Sequence, residues 1–148
     1  MPFYFAYGLL MSPDAMATRS PRAKYIGIGR LPRHRLIMLE GGRVSIARDP
    51  RRVVFGAVYD VPMSDLMVLD RIEGVPAGRA QKLDQPIVLA DGAKRALLHL
   101  ATDESKPASM KDRDRLADAA YALGLPDDYQ SEIRGVQPQQ TGFRVIKQ

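Results

Sequence analysis

The sequence contains no cysteine and no tryptophan. Without thiols, cysteine catalysis, thiolate metal ligation and a disulfide framework are all excluded. The lack fits a reducing compartment, and the expected location is the cytoplasm. Histidine is scarce as well: His34 and His99 lie far apart, in basic and apolar surroundings. An imidazole zinc site and a Ser-His-Asp triad therefore have few candidates. No apolar run approaches the ~20 residues that span a bilayer, so no membrane partner is expected. Residues 1–11 are apolar, but they lack a basic leader and a small-residue cleavage site, and Gly8 interrupts them. They read as a buried strand.

What is present suits one ordinary globular domain spanning 1–148. Of the 148 residues, 45% are hydrophobic and 26% charged, enough to bury a core. The 11 prolines and 12 glycines are spread through the chain, which favours many short elements over a helical bundle. Net charge is +5, and basic residues gather in two places. One holds Arg19, Arg22, Lys24, Arg30, Arg33 and Arg35; the other holds Arg43, Arg48, Arg51 and Arg52. Such clusters attract nucleic acid or an acidic partner, but a solvated basic face is the favoured reading.

The pattern predicts a first strand over 3–7, stopped by Gly8. Ser12-Pro13-Asp14 then signals a short helix to about Thr18, with Ser12 as its N-cap. Residues 24–30 and 35–39 read as two strands, and Gly41-Gly42 as the turn into a strand over 43–47 that Pro50 closes. Residues 53–61 carry apolar side chains on both faces and predict a central strand. A helix from Asp65 to about Glu73 follows, capped by Ser64 and ended by Gly74. Strands over 81–89 and 94–101 flank an Asp91-Gly92 hairpin turn. Ser109 and Asp112 suggest a longer helix with a buried stripe of Leu116, Ala119, Ala120 and Leu123, ended by Gly124. Pro126 opens a last short helix, and from about 135 a loosely held tail is expected. The sum is a mixed α+β fold: a largely antiparallel sheet, curled into a small β-barrel and flanked by short helices.

Glu73 is the candidate for chemistry. At 100° per residue it lies within about 20° of Leu66 and about 40° of Leu69. A carboxylate on the apolar face of a helix is either desolvated or lining a pocket. It also sits at the negative end of the helix dipole, an unfavourable place for another anion and a favourable one for a base. Helical phase alone does not choose between that base and a carboxylate that bonds the following glycine loop. Asp70, about 40° from Leu66, is expected to bond backbone in the Gly74 to Gly78 turn. The Tyr7-Gly8-Leu9-Leu10 turn before a capped helix presents backbone N–H groups that suit a carboxylate or oxyanion. It lacks the glycine spacing of a P-loop or dinucleotide fingerprint. Tyr129, taken by itself, reads as a packed residue with its hydroxyl at the surface.

Four segments in register then resemble the gamma-glutamylcyclotransferase-like family. They are Tyr4-Phe5-Ala6-Tyr7-Gly8 with Met11-Ser12-Pro13 behind it, and Val54-Phe55-Gly56-Ala57-Val58-Tyr59. The third runs Leu69-Asp70-Arg71-Ile72-Glu73-Gly74-Val75-Pro76-Ala77-Gly78, and the fourth Gly124-Leu125-Pro126-Asp127-Asp128-Tyr129. The resemblance implies the small barrel and a reaction that converts a γ-glutamyl amine or dipeptide to 5-oxoproline, releasing the amine. It implies no cofactor or metal. Glu73 matches the family's general acid/base. Tyr7, Gly8, Leu9 and Leu10 match the segment that holds the glutamyl moiety, and Tyr129 matches a pocket tyrosine.

Two departures stand out. The family's loop usually reads Tyr-Gly-Ser-Asn, and here Leu9 and Leu10 replace the polar pair. Arg79-Ala80 stand where the family often has a tyrosine. The expected function is therefore a cyclotransferase-like enzyme with a small-molecule γ-glutamyl substrate. The alternatives are a related enzyme with a shifted substrate, or a non-catalytic domain that binds a small amine or acyl ligand. Nucleic-acid binding ranks last, since few aromatics interleave with the arginines.

Overall fold

The computed structural model describes residues 2–39, 44–102, 110–136 and 138–139. In chain order the elements begin with β1 (Phe3–Ala6), a 3₁₀ turn (Leu9–Met11), α1 (Pro13–Arg19) and β2 (Lys24–Leu39). Next come β3 (Val44–Asp60), α2 (Met63–Glu73), β4 (Ala80–Leu89) and β5 (Gly92–Ala101). The chain then forms α3 (Met110–Leu123), α4 (Asp127–Arg134) and the two-residue β6 (Pro138–Gln139).

The strands close on themselves. β3 pairs with β1, β1 with β5, β5 with β4, β4 with β2, and β2 returns to β3. Every pairing in this ring of five is antiparallel except β1 with β5. The fold is thus the expected α+β one, among the described residues a five-stranded barrel with four helices. Closure leaves no long exposed edge between these strands.

Close packing inside the barrel explains two glycines. Gly29 and Gly56 face each other across β2 and β3. A Cβ on Gly29 would lie 2.6 Å from both Ile87 Cγ2 and Val58 Cγ2, and one on Gly56 would run into the carbonyl oxygen of Ala6. Phe5, Val58, Ile87 and Leu98 are completely buried. A second part of the same core joins the helices through Met11, Met16, Leu66, Leu69, Leu116 and Ile133. Burying each such side chain contributes roughly 1.5–3 kcal/mol, against the entropy of ordering the chain.

Several expectations need correction. The strands expected over 24–30 and 35–39 are one strand, and β3 does not stop at Pro50. The cause is a bend in their ladder: Pro32 faces Val53 while His34 faces Arg48, so Arg33 alone spans residues 49–52. Arg33 takes the left-handed conformation there, with φ 63°. Pro50 lies in that unpaired stretch, where its missing N–H costs no ladder bond. The hairpin turn is shifted by one residue, because Leu89 pairs with Gly92 and leaves Ala90-Asp91 at the tip.

Ser64 does not cap α2. Pro62 is the N-cap residue, and Ser64 Oγ instead accepts a hydrogen bond from Arg22 at 2.8 Å. The Gly41-Gly42 turn and Ser109 lie outside the described residues, as does most of the tail. Of that tail, Pro138–Gln139 pair with Met38 and Leu39. No helix among the described residues is long and apolar enough to cross a membrane.

Candidate functional site

β1 runs into the candidate site. After Ala6 the chain leaves the ladder, and Gly8 opens the 3₁₀ turn at φ −101° and ψ −148°. Met11 N–H and Ser12 N–H donate to the carbonyls of Gly8 and Leu9 at 2.9 and 3.2 Å. Among the described residues, no backbone turn or capping bond uses the N–H of Gly8, Leu9 or Leu10. At a helix start such groups have no intrahelical partner. Ser12 caps α1 as expected, its Oγ accepting from Ala15 N–H at 3.4 Å, with Pro13 in the first turn. The side chains of Leu9 and Leu10 are half-buried and lie against the core.

α2 carries Glu73 as its last residue. Leu66 and Leu69 are fully buried, and Glu73 is half-buried. The helix ends at Gly74, left-handed with φ 88°. Gly74 N–H and Val75 N–H both reach the Asp70 carbonyl, at 3.1 and 2.9 Å. A Cβ on Gly74 would lie 2.9 Å from Arg79 Cβ, so the Arg79 stem packs against the residue that ends α2.

Asp70 overturns its expectation. Its carbonyl does cap the Gly74 turn, but its carboxylate turns the other way, to side chains. Oδ1 lies 2.8 Å from His99 Nε2, and Oδ2 accepts from Lys82 Nζ at 2.7 Å. Burial acts to raise the Asp70 carboxyl; the hydrogen bonds and charges of Lys82 and His99 outweigh it and hold it below the usual aspartate range.

His99 itself, 3% exposed, is a residue that sequence reasoning set aside. Its Nδ1 lies 2.8 Å from the Tyr4 hydroxyl, and its carbonyl accepts from the Tyr7 hydroxyl. One residue of β5 therefore fastens β1, Tyr7 and the C-terminal half of α2. The available signal was a single polar residue inside the apolar run 96–101.

Tyr129 is 3% exposed, so its hydroxyl is not at the surface. It donates to the Phe55 carbonyl at 3.3 Å, and the two rings stand 4.9 Å apart. Burial foremost pushes this phenol above the usual tyrosine range, although the Phe55 bond opposes the shift, and Glu132 and Tyr7 add to it. The polar end of the residue is thus already used.

The basic clusters are partly neutralised. Arg22 pairs with Asp65 and Arg52 with Glu132, both at 2.9 Å, and Arg35 approaches Asp49 at 3.7 Å. Arg30, Arg33 and Arg48 are exposed.

A family model for the AIG2-like family matches residues 53–133. The gamma-glutamylcyclotransferases of Homo sapiens and Bos taurus are 27% and 26% identical over 147 aligned residues, covering 91% of this chain and 78% of each relative. A solved structure named gamma-glutamyl cyclotransferase superposes with a TM-score of 0.81 at 24% identity, covering 99% of this chain and 98% of that one. At that identity the superposition establishes the shared fold.

Proposed function

The chain belongs to the AIG2-like family, and on that premise we propose that it is a gamma-glutamylcyclotransferase-like enzyme acting on small γ-glutamyl amines in the cytoplasm. The α-amine of the glutamyl group attacks its own γ-carbonyl carbon. A new C–N bond closes the five-membered lactam, the old C–N bond breaks, and the amine leaves with a proton. Both bonds are acyl C–N bonds, so the reaction balances without redox or a cofactor.

The demands on the protein are modest. Intramolecular attack already supplies an effective molarity of up to about 10⁵–10⁸ M once the chain is folded toward the carbonyl. What remains is proton transfer and charge on the carbonyl oxygen. Glu73 takes a proton from the α-ammonium and returns one to the leaving nitrogen. The N–H groups of Gly8, Leu9 and Leu10 receive the oxyanion or the α-carboxylate. Tyr7 and Tyr129 bound the glutamyl group with their rings.

One observation carries this reading. The helix that ends at Glu73 and the turn that begins at Tyr7 are both bonded to His99, one through Asp70 and the other through a hydroxyl. That shared anchor supports a common site for the carboxylate and the N–H groups of the turn. Leu9 and Leu10 in place of a polar pair support a second reading, a domain that binds a small amine or acyl ligand without turning it over.

The test is direct detection of 5-oxoproline by mass spectrometry after incubation with a panel of γ-glutamyl amines. Product from the parent and next to none from Glu73→Gln would establish the activity and its base. Equal product from both would remove Glu73 from the mechanism.

A further inference from the structure

His99 contacts the proposed site from two directions, and the ring and the carbonyl do different work. Asp70 is ionised at neutral pH, so its Oδ1 accepts and His99 Nε2 carries the proton. On the other side of the ring, Nδ1 lies 2.8 Å from the Tyr4 hydroxyl. Tyr4 also stacks near the ring, at 5.3 Å between centroids and 55° between planes. With β1 on one nitrogen and α2 on the other, the imidazole is held in one rotamer. Asp70 is the residue whose carbonyl accepts the Gly74 and Val75 amides that end α2. Fixing its side chain therefore fixes the last turn of the helix, where Glu73 lies.

We propose that His99 is the positioning residue of the site, its ring holding the last turn of α2 through Asp70 while its carbonyl holds Tyr7 through the hydroxyl. The spacing between the Glu73 carboxylate and the Tyr7–Leu10 turn is then set by one residue of β5. Lys82, half-exposed on β4, holds the second carboxylate oxygen and stops Asp70 from rotating away. The inference rests on the function proposed above, because a spacing matters only where the two sides act on one substrate.

Two near-isosteres separate the halves of the ring. A glutamine amide reaches where Nε2 stands, and an asparagine amide where Nδ1 stands. His99→Gln keeps the Asp70 bond and gives up the Tyr4 bond; His99→Asn does the reverse. Each loses one buried hydrogen bond, so a purely structural role predicts similar losses of stability and similar activities. Positioning predicts that kcat falls on the order of 10- to 100-fold in His99→Asn, with KM little changed, while His99→Gln stays near the parent. Asp70→Ser opens the same joint from the helix side, leaves the Tyr4 bond in place, and gives the same answer if His99→Asn does not fold.

The experiment measures kcat and KM for 5-oxoproline formation together with amide hydrogen exchange at Gly74 and Val75. Equal kcat in the two His99 variants overturns the positioning role. A parent protein with no turnover refutes the proposed function instead, and exchange then decides the mechanical claim. Faster exchange at Gly74 and Val75 in His99→Asn than in His99→Gln supports it; equal exchange overturns it.

Discussion

The Asp70 carboxylate and the His99 imidazole meet at 2.8 Å, joining α2 to β5 beneath the end of the helix. Because the folded protein holds the Asp70 carboxyl below its ordinary value, folding favours the ionised form. Such a contact stabilises fully above the unfolded aspartate value of about 3.9, and its contribution is lost as pH falls through the lower folded value. Asp65 behaves likewise, held down first by its hydrogen bond from Arg22 and then by that from Ser20. The thermal midpoint should therefore drop as pH falls below about 4. Asp70→Asn should flatten that drop while lowering the midpoint at pH 7. An unchanged acid slope in Asp70→Asn would show that the joint carries no proton-linked stability.

Glu73→Gln should fold as the parent does and lose roughly 10²–10⁴-fold in turnover, the usual cost of a positioned base. Glu73→Asp pulls the carboxyl back by one methylene and should recover part of that loss. Urea midpoints of both variants should stay near the parent, since Glu73 is only half-buried. A variant that loses stability and activity together would point to a structural carboxylate.

Gly74 tests the end of the helix. It combines a φ of 88° with the Arg79 stem, 2.9 Å from where a Cβ would stand. Alanine there takes a left-handed conformation that costs about 1–2 kcal/mol and must also push Arg79 aside. A urea titration should show a lower midpoint with an unchanged slope. A neutral Gly74→Ala would mean that the turn relaxes freely.

The parts of this fold that were legible share a local cause. Ser12-Pro13, Gly74 and Gly124 announce helix ends within a few residues, and the strands over 81–101 announce their own turn. The long β2–β3 hairpin was not legible, because what carries it past Pro50 is the register between strands rather than anything near the proline. The site divides the same way. The half-buried place of Glu73 at the end of α2 agrees with its helical phase beside Leu66 and Leu69, while a role for it comes only from the gamma-glutamylcyclotransferase resemblance. His99 and Asp70 lie 29 residues apart, on a strand and a helix, and only the fold brings them together. The Tyr129 hydroxyl was misplaced because its acceptor, the Phe55 carbonyl, lies 74 residues away.

Leu9 and Leu10 decide how far the proposed activity extends. A glutamyl α-carboxylate and α-ammonium need polar partners once they leave water, and each unpaired group costs on the order of 1–3 kcal/mol. The leucine side chains cannot supply them; they are half-buried and turned to the core. The N–H groups of the 3₁₀ turn can still hold one anion, so binding is weakened rather than abolished. The parent should therefore turn over ordinary γ-glutamyl dipeptides poorly and amines with an apolar leaving group better. Replacing Leu9 by Ser and Leu10 by Asn restores the polar pair but removes apolar contact, at roughly 1 kcal/mol per half-buried leucine. The double variant should thus be less stable and yet faster on polar dipeptides. Its kcat/KM, measured by 5-oxoproline formation well below its thermal midpoint, separates the two effects. Efficient parent turnover of polar dipeptides would show that the leucines do no harm to glutamyl binding. A double variant that is slower on every substrate would show that the turn needs its apolar anchors to hold the N–H groups in place. No turnover by either protein would favour the ligand-binding domain.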